Sequence, residues 1–228
     1  MPTAIGCLSP YAPKATLKPP QSLGAATTCF PRALAIVRNA VACTVTLDTT
    51  PVMLSYYHAM QKLEPPDTHY FFAAVGWLEL GNAAEARTEL AQVSPARQEH
   101  PDVLEVRWSL AAEQQRWDEA LQVAQVLLRR APKRTSGWLH QAYALRRIPD
   151  GSVQKAWEAL LPAFDKFPKE PTIAFNLACY ACQMRQLDAA RDWLQRAVAI
   201  GGKEQIHEMA LKDSDLEPLW HEIRQFQT

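Results

Sequence analysis

The sequence predicts an all-α chain: a right-handed solenoid of about four and a half stacked helix–turn–helix units, closed by a C-terminal capping helix. Three observations predict it. Alanine returns at Ala86, Ala120, Ala156 and Ala190, in steps of 34, 36 and 34 residues. Each of these alanines opens an apolar stripe of similar spacing, in Asn82–Val93, Trp117–Leu128, Val153–Phe164 and Leu187–Val198. Beyond residue 67 the chain is rich in Ala, Leu, Gln, Glu and Arg, which are good helix formers, and the whole sequence holds only eight glycines. A self-similar period of this length marks a repeat array.

The totals narrow the function classes. Lys plus Arg and Asp plus Glu are 24 each, so the formal net charge is zero. Neither a nucleic-acid-binding basic excess nor an acidic tail is present. No stretch approaches the ~20 consecutive apolar residues of a membrane span. Five scattered cysteines, an odd number in a chain of 228 residues, lead us to expect reduced thiols and a cytoplasmic setting.

Residues 1–51 stand apart from the rest. Residues 1–52 carry seven of the 17 prolines, eight threonines and a single acid, Asp48. Pro10, Pro13, Pro19, Pro20 and Pro31 would interrupt any helix. The best candidate for the core of a secretory signal, Ala33–Val37, is cut by Arg38 and Asn39. The segment reads as disordered or as translated from too early a start, with Met53 the natural first residue; the alternative is an acid-poor organellar targeting segment.

Val52–Leu63 reads as a short helix with Tyr56, Ala59, Met60 and Leu63 on one face, ended by Pro65-Pro66. Ala59 lies 34 residues before Val93, and Val93 lies 34 before Leu127. The segment is therefore expected to form a half repeat covering the start of the array. Four full units follow at Asp67–His100, Pro101–Arg134, Thr135–Glu170 and Pro171–Gly202, giving a repeat region over residues 52–202. In the third unit, Ile148-Pro149-Asp150-Gly151 includes two extra residues at the turn, where the architecture tolerates them. In the second unit Ala120, Leu121, Ala124, Leu127 and Leu128 make one apolar face. The first helices carry small residues at matched places, Ala74, Ala142 and Ala178, which let the paired helices approach closely. No unit can bury its stripe alone, but stacked neighbours can. Residues 203–228 are expected to cap the array, with Glu204–Leu211 and Leu216–Phe226 helical and Ser214 or Asp215 as N-cap.

Trp138-Leu139-His140-Gln141-Ala142, followed by Ala156, Leu160, Ala163 and Pro168, resembles the unit of the tetratricopeptide repeat (TPR) family. Trp117-Asp118-Glu119-Ala120 with Ala124, Leu127 and Pro132 resembles its second half. The resemblance covers about Asp67–Gly202. Trp108 departs from it, standing where a small residue is expected, and Gln98 and Gly202 replace the closing proline. A local adjustment around Trp108 is expected.

Little in the chain carries chemistry. Cys179-Tyr180-Ala181-Cys182 is a CxxC, but no second pair of ligands lies near it in sequence, and it falls mid-helix rather than at a helix N-terminus. His207-Glu208 and His221-Glu222 do not form the HExxH pattern. The reading is non-enzymatic, without metal or cofactor. In the TPR family the free face of the first helices lines a concave channel for a peptide or helix. By register, the resemblance assigns Phe71, Val75, Leu78 and Glu79 to that groove from the first unit, and Glu105, Ser109 and Glu113 from the second. It assigns Leu139, Tyr143, Arg146 and Arg147 from the third, and Phe175, Cys179 and Gln183 from the fourth. Each apolar member could equally pack against its neighbouring unit. Phe71, Val75, Glu105 and Ser109 do not match the Lys, Asn and Arg with which some family members clamp a chaperone's terminal carboxylate. The expected function is a scaffold or adaptor that binds a protein or peptide partner through apolar anchors, oriented by Arg146, Arg147, Glu105 and Glu113. The alternatives are a small chaperone-like protein holding a secreted or assembling subunit, and self-assembly.

Overall fold

The computed structural model describes residues 62–225. The expected half repeat lies outside the described residues except for its end, as does all of residues 1–51. Within the described range the helices begin where the repeat arithmetic places them. The first pair is α1 (Asp67–Glu79) and α2 (Ala83–Gln92), and the second is α3 (Pro101–Glu113) and α4 (Trp117–Arg130). The third is α5 (Thr135–Leu145) and α6 (Val153–Lys166), and the fourth is α7 (Pro171–Gln183) and α8 (Leu187–Gly201). Each helix packs on the next in sequence, and α1 also touches α3, as α3 touches α5. The result is a helical solenoid.

The recurring alanines lie in its core. Ala86, Ala120, Ala156 and Ala190 on the second helices are fully buried, as are Ala74, Ala142 and Ala178 on the first. Trp108, at the register of those last three, is also buried. The residue at the matching place across the pair is correspondingly small. Ala124 stands at the register of Leu90, Leu160 and Leu194, and it shares a core cluster with Trp108. The second unit carries its large residue on the first helix and its small one on the second, the reverse of the other units, which offsets part of the added volume. Helix α3 joins two clusters, with Val103, Val106 and Leu110 beside Leu63, Leu90 and Val93, and Trp108 and Ala111 on the side of the later units.

Three of the four intra-unit turns use one device. Gly81, Gln115 and Arg185 occupy the same register, and each has positive φ (74°, 55° and 64°). The following amides, of Asn82, Arg116 and Gln186, donate to Trp77, Ala111 and Ala181 carbonyls at 2.8, 2.8 and 2.9 Å. The positive-φ residues' own amides donate to Leu78, Ala112 and Cys182 carbonyls, completing a Schellman closure. Pro149, with its fixed negative φ, cannot take this conformation, so the third unit closes through its insertion. There the Ser152 amide donates to the Leu145 carbonyl at 3.1 Å, and any side chain at Gly151 would collide with that carbonyl. Glycine suits the left-handed conformation; glutamine does not. Gln115→Gly is therefore expected to raise stability by about 0.5–1 kcal/mol, read as a higher urea midpoint at unchanged slope.

The departures at the unit ends also have local explanations. Gln98 sends its amide to the carbonyls of Val93 and Leu90, closing the end of α2 without a proline. Asp67 accepts from both the amide and the hydroxyl of Ser94, at 2.7 and 2.8 Å, tying the start of α1 to the end of α2.

Beyond α8 come α9 (Lys203–Lys212), a 3-10 turn (Ser214–Leu219) and α10 (Trp220–Gln225). One expected helix is thus divided in two, and the N-cap of the turn is Asp213, whose carboxylate accepts from the Asp215 amide at 2.9 Å. Leu216, Leu219 and Ile223 are buried, with Met209, Leu211 and Trp220 packed around them. The cap reaches further than expected: besides covering α8, its 3-10 turn packs against α7.

Candidate functional site

The first helices α1, α3 and α5 lie side by side, so residues at one register share a face. Phe71, Val75 and Leu78 are half-buried on α1, resting on the first core cluster. Ser109 on α3 is half-buried and donates to the Glu105 carbonyl at 3.1 Å, while Glu113 is exposed. Tyr143 and Leu139 on α5 are almost fully buried. Arg147 is half-buried and lies over the Tyr143 ring, 3.5 Å from its centroid, and 5.2 Å from that of Trp117. Its guanidinium also donates to the Tyr143 carbonyl at 3.0 Å. A depression of about 450 Å³ opens beside this stack, lined by residues that include Arg116, Trp117, Glu119 and Pro149.

Several residues expected in the groove are engaged within the protein. Glu105 is buried and accepts from His140 Nε2 at 2.7 Å, and from the Ser136 hydroxyl. An ionised carboxylate only accepts, so the His140 proton sits on Nε2. Arg134 lies 3.9 Å from Glu105 and 2.7 Å from Asp102. Burial alone would raise the Glu105 pKa. The hydrogen bond and charge of His140, the Ser136 hydroxyl and Arg134 outweigh it and hold the carboxyl below its usual range. His140 in turn stacks on Trp108, with ring centroids 3.7 Å apart and planes within 9°. Glu105 thus bolts the second unit to the third instead of facing a peptide.

The cap closes the other end of the face. Arg146 donates to Asp215 at 2.6 Å and lies 5.5 Å from the Tyr180 ring centroid. Gln183 donates to the Asp215 carbonyl at 3.2 Å, and the Cys179 thiol donates to Asp213 at 3.7 Å. Phe175 and Cys179 are fully buried. The expectation that these two line an open channel, and that Arg146 orients a ligand there, does not hold in this structure. The chain's own Asp213–Leu219 stretch packs over α7.

The CxxC is likewise enclosed. Cys179 and Cys182 form no disulfide, and burial, helped by the charge of Asp215, pushes the Cys182 thiol up to about 11. A thiol so shifted is a poor nucleophile at neutral pH. Among the described residues no group of three or more His, Cys, Asp or Glu is placed to hold a metal ion, and no helix is long and apolar enough to cross a membrane.

The register reasoning passed over the most exposed large apolar residues among those described. Phe72 is 67% exposed and Leu80 77%, with Trp77 between them on α1 and Phe72 set edge-on to Phe71 at 5.3 Å. Phe72 shares its register with Val106, His140 and Asn176, all of them buried. Only α1 lacks a complete described unit before it.

A similar helical arrangement also occurs in a crystal structure. The protein is similar to TTC0263, a thermophilic TPR protein from Thermus thermophilus, with a TM-score of 0.52 and 20% sequence identity over 69% of this chain and 82% of that one. The fold is a tetratricopeptide-repeat fold. No family model matches the chain, and no curated protein sequence does. The TPR fold accounts for the buried alanines of the units and for the shared face of α1, α3 and α5. It leaves Trp108, the His140–Glu105 bolt and the cap's reach over α7 as features of this chain.

Proposed function

We propose that this protein is a non-enzymatic, cytoplasmic interaction scaffold that holds a peptide or helix of a protein partner on the α1–α3–α5 face. The observation that carries this reading is the apolar surface of α1, where half-buried Phe71, Val75 and Leu78 adjoin exposed Phe72. Aromatic and aliphatic groups left half in water at one end of a rigid stack are suitable anchors for a partner. The TPR fold supports the reading, since stacked repeats offer extended faces for binding. The site is displaced from the one expected. It uses the first two units and the Tyr143–Arg147 stack, because the cap covers α7.

The test uses the whole chain as bait. Phe72→Ala with Val75→Ala is expected to weaken capture of a native partner at least tenfold, the effect of losing a binding hot spot. Circular dichroism should remain unchanged, since Phe72 is exposed and Val75 only half-buried. Equal capture by both proteins would remove α1 from the site.

A further inference from the structure

We propose that the partner segment is a cationic amphipathic helix, with its apolar side on Phe71, Phe72, Val75 and Leu78 and its Lys or Arg residues toward Glu79 and Glu113. The proposal rests on the α1–α3–α5 reading above and adds the partner's chemistry.

Charge left uncompensated on this face carries the argument. The face holds both signs, but the bases are already engaged. Arg146 is bound to Asp215, and Arg147 is folded over Tyr143 and Trp117. Of the acids, Glu105 is bolted to His140 and Asp102 pairs with Arg134. Glu79 and Glu113 remain. Both are exposed, they occupy the same register one unit apart, and neither makes an ion pair or hydrogen bond with another described residue. Each is the last residue of its helix, where the backbone carbonyls already concentrate negative charge and where neither α1 nor α3 has a basic residue in its last turn. Two carboxylates in that position oppose their own helix dipoles. A cation brought by a partner relieves both, and the adjoining apolar strip takes the other side of the same helix.

The probe is a fluorescently labelled synthetic amphipathic helix of Leu and Lys, compared with its Leu and Glu isomer, with binding to the full chain read by anisotropy. The Leu–Lys helix should bind, more weakly as salt rises, and the Leu–Glu isomer should not. Glu79→Lys with Glu113→Lys should weaken the Leu–Lys helix about tenfold or more and let the isomer bind. Glu79→Gln with Glu113→Gln gives the same reading, with smaller loss, if charge reversal alters the circular dichroism. Equal binding of both probes, no binding of the Leu–Lys helix, or no effect of either double substitution overturns the cationic partner. If Phe72→Ala with Val75→Ala still weakens a captured native partner, the scaffold reading survives that outcome; if it does not, both fall. A dimer in light scattering that is lost with Phe72→Ala and excludes the probe assigns the face to a second copy and also overturns the proposal.

Discussion

Trp108→Ala is expected to destabilise the protein by about 3–5 kcal/mol, although alanine is the residue that the other three units carry at this register. Consensus reasoning predicts the opposite sign, so the experiment is decisive. Trp108 is only 1% exposed, and the second unit carries Ala124, in the same core cluster, where its neighbours carry leucine. Truncating the indole therefore opens a cavity and uncovers one face of His140. Ala124→Leu alone should overpack the same space, at a cost of about 1–3 kcal/mol. The two changes together restore the pairing used elsewhere and should cost less than Trp108→Ala alone. Urea titration of the two single variants and the double variant gives the coupling. Simple additivity would show that Trp108 and Ala124 do not share one volume.

Glu105→Ala is expected to cost about 3 kcal/mol, because it leaves His140 Nε2 buried without an acceptor. His140 Nδ1 already has no hydrogen-bond partner, so the ring would lose its one polar contact. The same carboxylate predicts a pH dependence. Its folded pKa lies below the value it takes when exposed in the unfolded chain, about 4.3 for a free glutamate. Its contribution is thus fully present above that value and is lost as pH falls through the folded pKa. Stability followed from neutral pH into the acid range should fall more steeply for the native chain than for Glu105→Gln, which has no proton to take up. Parallel curves would mean that Glu105 does not drive acid loss. Because Trp108 and Glu105 both meet His140, their combined loss should depart from the sum of the single losses.

These residues show how far the sequence carries. The 34- and 36-residue steps place the starts of α1, α3, α5 and α7 at Asp67, Pro101, Thr135 and Pro171, as observed. They do so because repeat packing is nearly local: each helix buries its stripe on the next, and period alone reports that. The Trp108–Ala124 exchange is also written in the sequence, but only for a reader who aligns both helices of all four units. The exposure of Phe72 is not legible in that way, since its row is buried in the later units and the half repeat expected before α1 would cover it too.

The candidate site is less legible. Register alone puts Glu105, Arg146, Phe175 and Cys179 on one face, and family resemblance makes that face a groove. Whether a residue on it is free depends on partners far away in the chain: His140 lies 35 positions from Glu105, and Asp215 lies 69 from Arg146. No period encodes such pairs.

The sequence by itself determined the helix pairs, their order, the buried alanines and the location of the insertion, because each follows from local spacing and the need to bury an apolar stripe. Only the tertiary structure decided which residues of the shared face are engaged within the chain. The cap folds back over α7 and engages Arg146, while Glu105 is spent on joining two units, so among the described residues of that face Phe72 and the carboxylates of Glu79 and Glu113 lie exposed. That outcome is a competition among side chains for partners across space, and it is settled by long-range geometry.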